Sequence, residues 1–236
     1  MSMSPLRYMA VIGCIAAGVI APGPSFAAGG IYLDNVLCKC DGATVVSTGF
    51  DSGLDGWKLL TDASITPAGK PFPSATLHVN RHAATRAGAG RDVTIRDARV
   101  VELHAWIYLP KVTEQADYRR RVAGFAYLGV WSKTMTQNIY FGPKLYEKDD
   151  GYRIGVLWNS GTGTPPEAAT EKAVLKPETW ALLSLYLDLA AGTASVYLDH
   201  KPQVSLEIAP QAFAWIDFIG IQSWLGDGVD LPEKAP

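Results

Sequence analysis

Beyond residue 27, apolar side chains recur at every second position or in short β-branched and aromatic runs, and almost nowhere at the helical spacing of 3.6 residues. Glycine-bearing turns at 149–151, 159–161 and 191–193 separate these runs. Segment 166–174 is predicted to form a helical turn, and 113–121 a loop or short helix. The predicted strands are 31–37, 76–80, 92–96, 100–109, 122–131, 138–141, 152–158, 181–188, 194–198, 204–208 and 213–224.

So many short strands without a repeat period predict an all-β fold, a two-sheet antiparallel β-sandwich or jelly roll. We expect one domain over residues 28–236. The run 162–166 is the best candidate for a linker. Because strand-like sequence of the same composition continues on both sides, it is interpreted as a loop at a sandwich edge, with a domain boundary as the alternative.

Residues 1–27 have the pattern of a signal peptide. Arg7 gives a basic start, 8–21 is nearly all apolar, and 25–27 offers small residues for cleavage after Ala27. This predicts a secreted or periplasmic protein. A lipobox-like segment at 11–14, which would make Cys14 a lipidated anchor, is one alternative, and an uncleaved amphipathic N-terminus is another.

Composition narrows the classes of partner. Of 236 residues, 48% are hydrophobic and 19% charged, which is typical of a globular protein. The net charge of −2 argues against a nucleic-acid partner, which needs many basic residues. The apolar run at 8–21 is shorter than the about 20 residues of a membrane span. Neutral partners are therefore favoured.

Two cysteines, Cys38 and Cys40, remain after cleavage. On an extended strand they share a face with Cα atoms roughly 6.5–7 Å apart, near the upper limit for a bridge. The sequence leaves two alternatives for this pair, a strained disulfide and two free thiols.

Three stretches resemble the concanavalin A-like lectin and glucanase superfamily, particularly its laminin G-like secreted bacterial members. Residues 49–57 contain Phe50-Asp51 and end in Leu54-Asp55-Gly56-Trp57. Residues 179–199 resemble the paired strands that contain a tryptophan, alternating apolar residues, Gly-Thr and aspartates. Residues 31–36 resemble a Tyr-x-Asp-Asn-Val strand that is C-terminal in the family, so its position here predicts a permuted or rearranged edge strand.

The resemblance implies a sandwich fold and a sugar-binding surface on which aromatic rings stack against sugar faces. Alternation places His104, Trp106 and Tyr108 on one strand face, Tyr127 with Trp131, and Gln222 with Trp224. Trp158 and Asn159 are expected at a loop mouth, whereas Trp57 and Trp180 are assigned to the core. The predicted ligand-binding residues are Trp106, Tyr127, Trp131, Trp158, Asn159, Gln222 and Trp224.

No strand carries the alternating acids that retaining glucanases require, and neither Gly-x-Ser-x-Gly nor His-Glu-x-x-His occurs. The sequence therefore favours a noncatalytic module that binds a poly- or oligosaccharide. One alternative is a polysaccharide lyase that uses His104, Tyr127, Arg153 and Gln222. Another is an adhesion or structural domain with a protein partner.

Acids near the first strands suggest a metal site. Asp51 and Asp55 lie four residues apart in a glycine-bearing segment, but Gly53 stands where an EF-hand needs an oxygen ligand. The resemblance instead implies structural calcium held by Asp34 or Asn35 together with Asp51. Capping of turns by aspartate side chains is the alternative.

Overall fold

The computed structural model describes residues 30–59, 63–79, 87–111, 126–132, 137–145, 151–161, 163–210, 213 and 215–223. None of these residues lies in an α-helix, so this part of the chain has no helix that could cross a membrane. Its strands are β1 (Ile31–Cys40), β2 (Ala43–Thr48), β3 (Lys58–Leu59), β4 (Ala63–Thr66), β5 (Thr76–Val79), β6 (Ala87–Arg96), β7 (Val100–Tyr108), β8 (Ala126–Trp131), β9 (Asn138–Leu145), β10 (Tyr152–Asn159), β11 (Glu167–Ala169), β12 (Trp180–Asp188), β13 (Thr193–Leu198), β14 (Lys201–Glu207) and β15 (Trp215–Ser223).

The strands form two antiparallel sheets. Sheet A has the order β14-β13-β12-β7-β1-β5-β4, with β2 also paired to β1. Sheet B has the order β11-β10-β9-β8-β15-β6-β3. The predicted all-β class and its two-sheet antiparallel sandwich are confirmed. Alternation is cleanest in β13, where half-buried and buried residues follow one another along the whole strand.

The core fills the space between the two sheets. From sheet A, Leu103 and Ile107 of β7 are buried, and from sheet B so are Ile154 and Val156 of β10. Phe50 and Trp57, on the connection after β2, add two large rings whose centroids lie 5.9 Å apart edge to face. The assignment of Trp57 to the core is confirmed.

Strand β1 lies inside sheet A, between β7 on one side and β2 and β5 on the other. The prediction of a rearranged edge strand is therefore wrong. A bulge at Asn35, with φ of 49°, shifts the register between Asp34 and Leu37. Both Leu33 before the bulge and Val36 after it consequently reach the core.

Four strands, β2, β3, β4 and β11, lie outside the predicted set, and all are short or at sheet edges. The helical turn predicted at 166–174 is wrong, because β11 pairs with β10 there. Trp158 N donates to Pro166 O at 3.1 Å, so the run 162–166 connects two paired strands. Segment 113–121 and the signal peptide lie outside the described residues.

Cys38 and Cys40 are free thiols, the second of the two alternatives. Cys38 is buried, and removal from water raises its pKa to about 12, with smaller contributions from Cys40 and Glu102. The thiolate that disulfide formation requires is therefore strongly disfavoured at Cys38.

Candidate functional site

The outer face of sheet B is built on glycine. Six glycines occupy outward positions of five neighbouring strands: Gly88 and Gly90 of β6, Gly220 of β15, Gly129 of β8, Gly142 of β9 and Gly155 of β10. Gly220 pairs with Gly90 on one side and Gly129 on the other, and Gly142 pairs with Gly155. Without Cβ atoms, this face offers bare backbone on which large groups can lie flat.

Aromatic rings cover part of this glycine floor. A methyl group on Gly90 would lie 1.8 Å from Cζ of Phe218, so the Phe218 ring rests directly on that strand. Trp131 and Tyr140 approach Gly129 in the same way. The Trp131 ring meets Phe218 and Tyr140 edge to face, both at 5.3 Å between centroids, and its Nε1 donates to the Tyr140 hydroxyl at 3.1 Å. These three residues form one rigid aromatic cluster.

A buried amide stands beside this cluster. Asn138 of β9 pairs in register with Trp131 on one side and Asn159 on the other. Its side chain is only 3% exposed, and Oδ1 has no hydrogen-bond partner among the residues that the structure describes. Buried amide oxygens nearly always accept a hydrogen bond. The oxygen is enclosed, so a donor from outside the chain can reach it only when a side chain over it moves.

A basic end completes the face. The stem of Lys144 lies over Gly155, where an added methyl group would approach its Cδ to 2.9 Å. The Lys144 ammonium contacts the Glu167 carboxylate, and Arg153 is its register partner on β10. Burial lowers the pKa of Lys144 to about 8, although the nearby carboxylate favours the charged form.

The structure brings several predicted ligand residues to this one sheet. Trp131 and Asn159 lie in the Asn138 row, and the backbones of Tyr127 and Gln222 face each other in the β8–β15 register. The side chains of Tyr127 and Gln222, and all of Trp224, lie outside the described part of the chain. Of the residues suggested for a lyase, Arg153 belongs to this face as well, whereas His104 does not.

Other predicted residues lie elsewhere. His104, Trp106 and Tyr108 share the outer face of sheet A, as their alternation predicts, so Trp106 is separated from the glycine floor by the whole sandwich. Trp180 packs against Tyr108 in a small aromatic cluster outside the main core.

Two expectations of exposure are wrong. Trp158 packs against the main core, because strand alternation turns it inward while Asn159 turns outward. Trp131 lies on the outer face but is only 2% exposed, since Phe218 and Tyr140 close around it. Its ring supports the surface and is not itself an open platform.

Sequence reasoning missed Phe218, Tyr140, Asn138 and Lys144. The signal that could have found them is the glycine at alternate positions of strand-like runs, as in Gly88-Ala89-Gly90. A strand with an apolar inner face and a glycine outer face indicates close approach of another group.

The acids proposed for calcium each bind protein donors. Asp34 accepts from Asn35 N at 2.7 Å and from the Ser74 hydroxyl, and Asp51 accepts from Ala75 N at 2.8 Å. Hydrogen bonds from Thr48 and then Arg91 lower the pKa of Asp55. The described residues contain no group of three His, Cys, Asp or Glu able to hold a metal. The three acids fit turn capping better than a metal site. Calcium binding stays a prediction, and thermal melts with calcium and with chelator would test it.

Several solved structures resemble this chain at low sequence identity. They include a carbohydrate-binding module CBM66 from Bacillus subtilis, at 12% identity and TM-score 0.43 over 72% of this chain and 88% of that one. The carbohydrate recognition domain of Emp47p matches at 9% identity and TM-score 0.48, over 72% and 79%. A Bacillus licheniformis β-glucanase matches at 11% identity and TM-score 0.44, over 86% and 88%. No protein-family model matches. No curated protein matches either.

We predict that Gly90→Ala destabilises the protein by about 1–3 kcal/mol, because the new methyl group must push the Phe218 ring off the floor. Gly69→Ala is the control, since nothing lies within 4 Å of a methyl group there and its φ is not positive. Urea denaturation of both variants measures the difference. Equal stability of the two would show that the ring does not rest on Gly90.

We also predict that the free energy of unfolding rises between pH 8, the folded pKa of Lys144, and pH 9, above which the raised pKa of Cys38 opposes the rise. In this window the unfolded chain binds more protons than the folded one, so stability increases with pH. Over this one pH unit, a difference of up to one bound proton corresponds to at most about 1.4 kcal/mol.

Denaturation curves at several pH values should show this rise in the native protein and in Lys176→Met, which changes an exposed lysine. Lys144→Met should abolish it. A rise that persists in Lys144→Met would assign it to another group.

Proposed function

We propose that the chain binds a poly- or oligosaccharide, without cleaving it, on the outer face of sheet B. The observation that carries the proposal is the unpartnered amide oxygen of Asn138 beside the aromatic cluster. A sugar offers what this arrangement lacks, since its hydroxyls donate hydrogen bonds while its apolar ring face packs on an aromatic ring.

On this face, two aromatic residues supply the contact surface for a sugar and a third supports them. Phe218 and Tyr140 are half-buried and retain accessible surface, whereas Trp131 holds both rings in place. The glycines let Phe218 and the Lys144 stem lie close to the strands, so a ligand would contact these side chains and not the backbone. Rings that are fixed before binding lose little conformational entropy, which favours affinity.

A polysaccharide lyase is the second candidate function, and Lys144 is the observation that favours it. With its pKa near 8, Lys144 is closer than an ordinary lysine to serving as a base at neutral pH. Such a base would take the proton next to a uronate carboxylate, and Arg153 would hold the carboxylate. The C–O bond to the leaving sugar would break with a C=C bond forming, and water would protonate the leaving oxygen. Unsaturated products would reveal this reaction.

We propose further that the protein is secreted or periplasmic, in agreement with the signal-peptide pattern of residues 1–27. The mass of the exported protein should begin at Ala28. A lipid-modified chain that begins at Cys14 would contradict this.

We predict that Asn138→Leu weakens saccharide binding at least tenfold, about 1.4 kcal/mol, without loss of folding stability. Leucine keeps a similar volume and removes a buried amide whose oxygen has no partner in the described structure, so stability should stay equal or increase. The measurements are retention on a panel of immobilised polysaccharides, with detection of new reducing ends and unsaturated products, and thermal melting.

Gln203→Leu is the control, because this amide lies on β14 of sheet A and already donates to Lys201 O. Unchanged retention of polysaccharide by Asn138→Leu would contradict binding at this face of sheet B. Product formation by the native protein would favour the lyase, and the absence of retention on every polysaccharide would favour a protein partner.

A further inference from the structure

The outer face of sheet A is polar and carries its own cavity. Along the central strand β7, Glu102, His104 and Trp106 point outward, between β1 on one side and β12 on the other. Trp106 is 40% exposed, which is unusual for so large a ring in the middle of a sheet. Because both neighbouring strands are paired to β7 along this stretch, the ring is accessible from above rather than from an edge.

Beside Trp106 lies a cavity of about 420 Å³. Its lining includes Trp106 and Leu182 as apolar groups, and Asn35, Lys39, Ser47 and His200 as polar ones. A volume of this size is at the small end of ligand sites and suits one or two sugar units. The bulge at Asn35 widens this part of the face, because it interrupts the pairing of β1 with β7 between Asp34 and Leu37.

His104 fixes the floor of this cavity. Its Nδ1 is 2.8 Å from the Ser184 hydroxyl and its Nε2 is 3.1 Å from Glu102 Oε2. The Glu102 carboxylate is therefore held beside a ring nitrogen that donates to it. Ser184 is only 6% exposed, so the imidazole is locked from both sides.

The lining contains one acid, Glu102, which accepts from His104 and is the register partner of Lys39 on β1. Besides His104, its basic residues are Lys39 and the exposed His200. Basic groups beside an exposed indole match a ligand that has both an apolar ring face and a carboxylate.

We propose that this cavity is a second binding site, for a saccharide unit that bears a carboxylate, such as a uronic acid. The sugar ring stacks on Trp106, and its carboxylate pairs with Lys39 and His200. The site is independent of the face of sheet B, because the two lie on opposite sides of the sandwich core. It would bind whether or not the proposed function at Asn138 holds.

The test is calorimetric titration of the full chain with glucuronate and, for comparison, with glucose. We expect glucuronate to bind more tightly than glucose and its affinity to fall with added salt, as for an ion pair. Trp106→Ala should weaken binding of both at least tenfold. Lys39→Gln should weaken glucuronate at least threefold and leave glucose unchanged.

Tyr186→Phe and Tyr186→Ala serve as matched controls. Tyr186 is 39% exposed on the same face of sheet A, but it lines a neighbouring depression with Asp41 and Asp188. That depression shares Glu102 with the cavity at Trp106, but neither Trp106 nor Lys39. Both variants should bind glucuronate like the native chain, and melting temperatures confirm folding in each case.

Glucuronate that fails to bind, or that binds Trp106→Ala with native affinity, would overturn the proposal. So would loss of glucuronate binding in Asn138→Leu with full binding in Trp106→Ala, which would place the ligand on sheet B. Loss of polysaccharide retention in Asn138→Leu while glucuronate binding persists would support two separate sites.

Discussion

Burial of one face of each sheet against the other is the interaction on which the rest of this structure depends. Most of the large aliphatic side chains of β7, β10 and β12 face this shared core, and many are completely buried. Because side chains alternate along a strand, committing one face to the core leaves every second residue outside. The outer faces do not contribute to the shared core, so their composition can serve binding.

The two outer faces use that freedom in opposite ways. Sheet B reduces its outward side chains to hydrogen atoms at six positions and lets a few aromatic rings lie across the gap. Sheet A has long polar side chains and the exposed indole of Trp106 on its outer face, and the His104 imidazole there contacts both Ser184 and Glu102. The flat face of sheet B suits an extended ligand, whereas the cavity on sheet A suits a compact one. Carbohydrate binding is compatible with both shapes.

The strand alternation in the sequence was enough to predict the sandwich class and the shared face of His104, Trp106 and Tyr108. It could not predict which strands pair, because β1, β7 and β12 meet from distant parts of the chain. Short edge strands such as β11 bury too few side chains to leave a periodic pattern. The candidate site was harder to predict. Trp131 looks like an exposed ring by alternation, yet its burial depends on Phe218 and Tyr140 from other strands.

The placement of the two thiols determines how β1 would respond to an oxidising environment. Cys38 lies within the sandwich and resists ionisation, while the half-buried Cys40 is the thiol that solvent can reach. Of these two thiols, oxidants and alkylating reagents therefore reach Cys40 first. Burial within β1 shields the Cys38 sulfur without a disulfide.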